Sequence, residues 1–209
     1  MIEPTKFALF IGVAWTLIIA PGPDMLYVIT RGMAHGPRAG ILSAVGVICG
    51  ILVHTMAAAF GLTLVLQTSA VAFLVVKVVG AAYLIYLGIK AWHERSAFRL
   101  QAQPSVVSSG KVFWQGVLSN VLNPKVAIFF LAFLPQFVDK GSPQVTLQMV
   151  TLGLTFAFCG LCFLLVVGYA SGAIGGWLTS RPQRARFLQR LAAGTLIGLG
   201  IRLALPERR

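Results

Sequence analysis

Pro21-Gly22-Pro23-Asp24 interrupts an apolar run near its middle, and Asn123-Pro124-Lys125 does the same to a second run later in the chain. Proline removes a backbone donor and clashes with the preceding turn, so each run breaks or kinks there. Each break also carries a charge, Asp24 in the first and Lys125 in the second. In hydrocarbon, backbone groups freed in this way persist only inside protein or beside a water-filled cavity. A pair of interrupted hydrophobic segments in matching positions is the best pointer a sequence gives to a transporter's binding site.

The rest of the chain fits a membrane setting. Of its 209 residues 57% are hydrophobic and 11% charged, where a soluble domain carries about 25% charged residues. Mean hydropathy is +0.86. The net charge of +12 does not point to nucleic acid, because the basic residues sit between apolar runs rather than in an aromatic-interleaved stripe. The three cysteines, Cys49, Cys159 and Cys162, all lie inside apolar runs, so no loop disulfide framework is implied.

A bilayer core takes about 20 apolar residues in a helix. Six segments meet or approach that: about 7–29, 40–66, 70–92, 112–138, 145–170 and 188–205. The last is the weakest, since Arg190 and Arg202 flank a short apolar centre. The fold class expected is an all-α membrane protein of six transmembrane helices, with spans one and four broken by proline. A polar stretch at 93–111, a cytoplasmic linker, divides one transmembrane domain (1–209) into repeat one, about 1–92, and repeat two, about 112–209. The stretch 171–187 reads as a second long connection. A unit of three spans ends on the side opposite to where it began, so its second copy inserts upside down. The offset from Pro23 to Pro124 also lays span two over span five. These are two inverted three-helix repeats, argued from hydropathy and break position and not from residue identity.

Loops after spans one, three and five hold Arg31, Arg38, Arg95, Arg99, Lys111, Arg181, Arg184 and Arg186, against Lys6, Lys140, Arg208 and Arg209 on the other side. That excess places the basic loops in the cytoplasm and both termini in the periplasm. The region before Phe7 lacks net positive side-chain charge and no small-x-small site precedes Pro21, so the first span reads as retained. Gly46/Gly50, Gly172/Gly176 and Gly194/Gly198 are GxxxG pairs and read as helix contacts.

Of the five acids, Glu3, Asp24, Glu94, Asp139 and Glu207, only Asp24 falls within a span. A centrally buried charge costs about 2.5–3.5 kcal/mol on insertion scales. Pro23 suits the first helical position, which puts Asp24 in the first turn of a half-helix, where the macrodipole favours a carboxylate. Asp24 either caps that half-helix or binds a substrate amine or a proton. Asn123 reads as an N-cap with Pro124 first and Lys125 second. Lys125 adds to the dipole's positive end, which makes an anion site, or else it pairs with Asp24 as a structural ion pair. Lys77 is a further in-span cation that either snorkels or functions. His54, near the middle of span two, is either a packing residue or a proton relay. Gln115 and Asn120 lie on the entry half of span four, as candidate cavity-lining residues. Cys159-Gly160-Leu161-Cys162 sets two thiols on one helix face, in an apolar setting unfavourable to a thiolate.

Ala20-Pro21-Gly22-Pro23-Asp24, the turn Gly36-Pro37-Arg38-Ala39-Gly40-Ile41, and the run from Asn123-Pro124-Lys125 through Phe133-Leu134-Pro135-Gln136-Phe137-Val138 together resemble the LysE/RhtB family of amino-acid exporters. The resemblance implies a multi-pass protein of the bacterial inner membrane, not an enzyme and without a cofactor or resident metal. It further implies secondary active export of amino acids or close derivatives of the threonine, homoserine or leucine kind, driven by the proton gradient. A zwitterion needs one partner of each sign at midplane. The expected substrate-binding set is Asp24, Lys125, Asn123, Pro23, Gly22 and Lys77. Proton coupling falls to Asp24 and His54. Expected partners are an amino acid, protons and the lipid bilayer, with no nucleic acid; a homodimer is left open. Two other classes stay open: a thiol–disulfide electron conduit through Cys159 and Cys162, and an inorganic-ion transporter.

Overall fold

The computed structural model describes residues 2–62, 69–93, 107–139 and 141–205. Most of the 93–111 linker lies outside the described residues, as do Arg95, Arg99, Lys140, Arg208 and Arg209 of the orientation argument. The described residues form nine α-helices and contain no strand. In chain order these are α1 (Pro4–Ile19), α2 (Pro23–His35), α3 (Pro37–Met56) with a π-helical extension (Ala57–Leu62), α4 (Ala70–His93) and α5 (Ser109–Val121). There follow α6 (Pro124–Ile128), continued by a π turn (Phe129–Phe133) and a 3₁₀ turn (Leu134–Phe137), then α7 (Val145–Tyr169), α8 (Ser171–Thr179) and α9 (Pro182–Ala204).

Four of these helical stretches are long and apolar enough to cross a membrane singly, those of α3, α4, α7 and α9. The other two crossings are bent pairs: α1 with α2 at 50°, and α5 with the 124–137 half-helix at 47°. Helices α1, α2, α3 and α6 each begin on proline, whose missing N–H is one of the groups a helix start leaves unpaired anyway. Between α2 and α3 the chain turns at Gly36, whose φ of 84° only glycine adopts at no steric cost.

The sixth span begins earlier than its apolar centre suggests, because the basic residues ahead of it are helical and anchored on indole rings. Arg184 lies 4.7 Å from the ring centre of Trp177, and Arg190 lies 5.8 Å from that of Trp92. Arginine heads over tryptophan at a helix end fit the headgroup region. The 171–187 connection is not simply a loop: it holds α8, which packs on α2 where Gly32 meets Ser171 and Met33 meets Gly175.

Glycine sets how closely the spans approach. Gly46 and Gly50 of α3 lie against α5, and a Cβ on Gly50 would stand 2.7 Å from the Asn120 Cβ. Helices α4 and α9 pack chiefly on each other through Gly88 against the Ala193 carbonyl and Gly200 against the Ala81 carbonyl. The pairs Gly172/Gly176 and Gly194/Gly198 face open space, so of the three pairs named above only Gly46/Gly50 makes a helix contact. Close approach in lipid depends on which face a glycine occupies, and the motif does not encode that.

Candidate functional site

The two breaks meet. Each ends one half-helix and starts another, so the point where they cross collects two sets of unpaired carbonyls and two sets of unpaired N–H groups. Asp24 stands in the first turn of α2. Its Oδ2 accepts from Asn120 Nδ2 and from Asn123 Nδ2, each at 2.8 Å, and its Oδ1 accepts from Ser119 Oγ at 3.4 Å. All three donors belong to the second break. Lys125 stands in the first turn of α6, and its Nζ donates to the Leu17 carbonyl at 3.1 Å and the Ala20 carbonyl at 2.8 Å. Both acceptors belong to the first break, where α1 ends. Lys125, at the positive start of its own helix, thus caps the negative end of another.

Asp24 and Lys125 do not form an ion pair. The only salt bridge among the described residues is Lys6 to Glu3, at 3.9 Å. Each charge at the breaks is instead met by neutral polar groups from the opposite break, and charge-assisted hydrogen bonds of this kind are the strong ones. The two side chains do share a void of about 40 Å³ walled by Val47, Ile51 and Phe156. It has room for water-sized guests only.

Asn123 works in both directions. Its Oδ1 accepts from the Lys125 backbone N–H at 3.0 Å, as expected of an N-cap, while its Nδ2 holds Asp24. The amide supplies acceptor and donor on two separate atoms, so it serves both partners at once. Asn120 is fully buried, and its Oδ1 has no hydrogen-bond partner. Gly22 makes room for the lysine: a Cβ there would stand 3.1 Å from Lys125 Nζ.

A cavity of about 310 Å³ opens beside the crossing, lined by Gly22, Pro23, Asn123 and Lys125 together with Leu26 and Leu196. Lys90 and Gln189 stand at its rim, and Gln189 Nε2 donates to the Ala91 carbonyl at 2.6 Å. This is the lower end of the size range of small-molecule sites.

Five of the expected residues therefore converge: Gly22, Pro23, Asp24, Asn123 and Lys125. Lys77 is not brought to them. It lies on α4 and donates to the Leu205 carbonyl at 3.4 Å, near the other end of α9. His54 stands one residue removed from Asp24, with Nε2 3.1 Å from the Asn120 carbonyl and its ring 5.9 Å from that of Phe130. Cys159 is half-buried and Cys162 exposed on α7, both free, and neither lines the cavities at the breaks. Among the described residues no group of three or more His, Cys, Asp or Glu side chains could hold a metal ion. Sequence reasoning missed Ser119, Lys90 and Gln189 as site residues, and also the carbonyls of Leu17 and Ala20. A hydroxyl four residues before an N-cap asparagine was a faint signal for Ser119. Backbone carbonyls leave none.

The family described as LysE type translocator matches residues 15–207. The chain is 31% identical over 205 residues to the uncharacterized membrane protein YrhP of Bacillus subtilis (strain 168), covering 94% of this chain and 97% of that protein. It is 30% identical over 190 residues to the homoserine/homoserine lactone efflux protein of Salmonella typhimurium, covering 90% of each. It is 26% identical over 189 residues to the leucine efflux protein of Salmonella choleraesuis, covering 90% of this chain and 89% of that protein. No solved structure matches the chain.

Proposed function

The chain belongs to the LysE type translocator family, and from that premise we propose that it exports small amino acids or close derivatives, of the homoserine, threonine or leucine kind, in exchange for protons. It is a multi-pass membrane transporter and not an enzyme. The observation that carries the finer reading is the crossed bonding at the breaks. Asp24 is held only by donors from the second break, and Lys125 only by carbonyls of the first. A dipolar solute offers an ammonium and a carboxylate, the same two groups the crossing already accommodates.

In this reading the solute enters the cavity lined by Gly22, Asn123 and Lys125, and reaches Asp24, which lines the adjoining small void, as the halves rock and the two spaces join. Its ammonium turns to Asp24, and its carboxylate to Lys125 and the α6 start, where free N–H groups favour an anion. Protonation of Asp24 removes the charge that holds the ammonium, so solute leaves as the proton arrives. His54, through the Asn120 segment it touches, is the second group of the coupling path. The three-span halves rock about the crossing as inverted repeats. The basic loops face the cytoplasm and both termini face the periplasm of a bacterial inner membrane. A single chain supplies both charges and all their partners, so a second copy is not needed for the site.

Purified protein in proteoliposomes, loaded with homoserine, threonine or leucine, tests this directly. An inward proton gradient is expected to speed efflux, and efflux is expected to acidify the lumen. Efflux indifferent to the gradient, with no proton movement, rules out the exchange.

A further inference from the structure

The interface between α2 and α5 runs from the crossing towards the end of α2 near His35 and the start of α5 near Lys111, and it holds chemistry the exchange above does not use. Asp24, Tyr27 and Arg31 fall at i, i+3 and i+7 on α2, a single helix face. Lys111, Gln115 and Ser119 fall at i, i+4 and i+8 on α5. The two rows bond across the gap. Arg31 Nη2 donates to Gln115 Oε1 at 2.7 Å, the Tyr27 hydroxyl donates to the Val112 carbonyl at 2.6 Å, and Ser119 donates to Asp24. The Arg31 guanidinium also lies 5.5 Å from the centre of the Tyr27 ring. Around these bonds is a cavity of about 560 Å³, lined by Thr30, Arg31, Lys111, Gln115 and Ser119 among others, and no acidic side chain is among the described residues that line it.

A guanidinium fixed by one amide and one ring keeps most of its five N–H donors for something else. Its planar fork suits a carboxylate, which it binds with two parallel hydrogen bonds. Lys111 adds a second positive charge to the same space, which no acidic side chain lines among the described residues. We infer that this cavity is a binding station in its own right for the carboxylate of the outgoing solute, with Arg31 as the ligand and Lys111 as the supporting charge. The inference rests on the export reading for whose carboxylate it is. At 1.5 Å of rise per residue, Arg31 stands about 10 Å along α2 from Asp24. Arg31 lines this cavity and not the one that Gly22 and Asn123 share. The station therefore precedes the central site: solute is caught by its carboxylate at Arg31, then passes Ser119, whose hydroxyl already bonds Asp24.

The rival explanation is that the Arg31–Gln115 bond only ties two helices together. Kinetics of the full chain in proteoliposomes separate the two. The probe is whichever of homoserine, threonine or leucine is moved fastest, with its carboxamide as a competitor that keeps the ammonium and side chain but lacks the carboxylate. Arg31→Gln is expected to raise KM about tenfold while kcat stays within about twofold. It is also expected to shrink the preference for acid over carboxamide by about tenfold, and Arg31→Lys should recover part of that preference. Should Arg31→Gln not fold, Lys111→Gln on an exposed side chain gives the same reading at about threefold. An unchanged preference in these variants, beside a transporting wild type, overturns the station and leaves the export reading standing. A wild type that moves none of the three solutes overturns the export reading, and the station with it.

Discussion

Two interfaces meet at the crossing, and they are opposites in composition. Between α2 and α5 the contacts are polar rungs around a large cavity: Arg31 to Gln115, Tyr27 to a carbonyl, Ser119 to Asp24. Between α1 and the 124–137 half-helix they are aromatic. Phe10 meets Phe137 edge-on at 5.4 Å and Phe129 at 6.2 Å; behind them Phe129 packs on Phe133 of its own half-helix at 5.7 Å and on Phe156 of α7 at 4.9 Å. Phe10, Phe129 and Phe133 are almost wholly buried. Both interfaces join a half-helix of one break to a half-helix of the other, so their geometry is alike and their chemistry differs. Polar rungs can be replaced bond for bond by water or by a solute, which suits an entrance. Parting the rings gains no such replacement and exposes each at about 1.5–3 kcal/mol, plus about 0.5–1.5 kcal/mol per ring pair. Phenylalanine thus fills the interface on the side of the chain's start, and a cavity opens in the one that leads to Lys111. In the proposed mechanism, alternating access exchanges those two conditions about the charges between them.

The comparison breaks most readily at its centre. Asp24→Asn is expected to lower proton-driven efflux about 100-fold or more, the scale of removing one partner of a buried hydrogen-bonded charge. Membrane insertion and gel-filtration profile should be unchanged. Near-normal efflux would mean that neither interface is organised around Asp24. On the aromatic side, Phe129→Ala is expected to cost about 3–5 kcal/mol of stability. Thermal unfolding should register that loss, and downhill solute leak without a proton gradient should rise. A tight, uncoupled-leak-free variant would show that the rings are core and not closure.

Asn123→Asp keeps a good N-cap but sets a second carboxylate against Asp24. Efflux is expected to fall about tenfold at neutral pH and to recover partly as pH drops, since protonating one carboxylate of such a pair removes the repulsion. A pH-rate profile parallel to wild type would count against the Asp24–Asn123 bond. His54→Gln is expected to slow efflux about threefold and to displace its pH profile, whereas a pure packing role would lower the unfolding temperature and leave the profile in place. The smallest effects are expected far from the crossing. Lys77→Gln, and Cys159→Ala with Cys162→Ala, should each leave efflux within about twofold of wild type. A large loss in the cysteine variant would revive the electron-conduit reading.

The breaks were legible because proline acts locally. Its fixed φ and missing donor end a helix wherever it stands in an apolar run, and both bent spans occur where Pro23 and Pro124 placed them. The N-cap at Asn123 was legible for the same reason, being a bond of two residues' reach. Legibility failed where reach was long. Lys77 and Lys125 look alike as in-span cations, yet one lies at the crossing and the other at the distant end of α9. The three GxxxG pairs singled out look alike too, yet of these only Gly46/Gly50 touches another helix. The ion pair proposed from opposite charges proved to be two separate sets of bonds to neutral groups, because each helix end offered its neighbour carbonyls or amides at closer range.

By itself the amino-acid sequence determined that this is a membrane-spanning helical chain, where two of its spans break, and that one charge of each sign stands at a break. Hydropathy and proline stereochemistry act over a few residues and need no partner to operate. Only the tertiary structure decided what those charges hold: Asp24 its asparagines, Lys125 the carbonyls closing α1. It also decided which side is polar and which aromatic. Partner choice across a helix crossing depends on rotation and approach, and a backbone carbonyl carries the same letter whichever residue it belongs to.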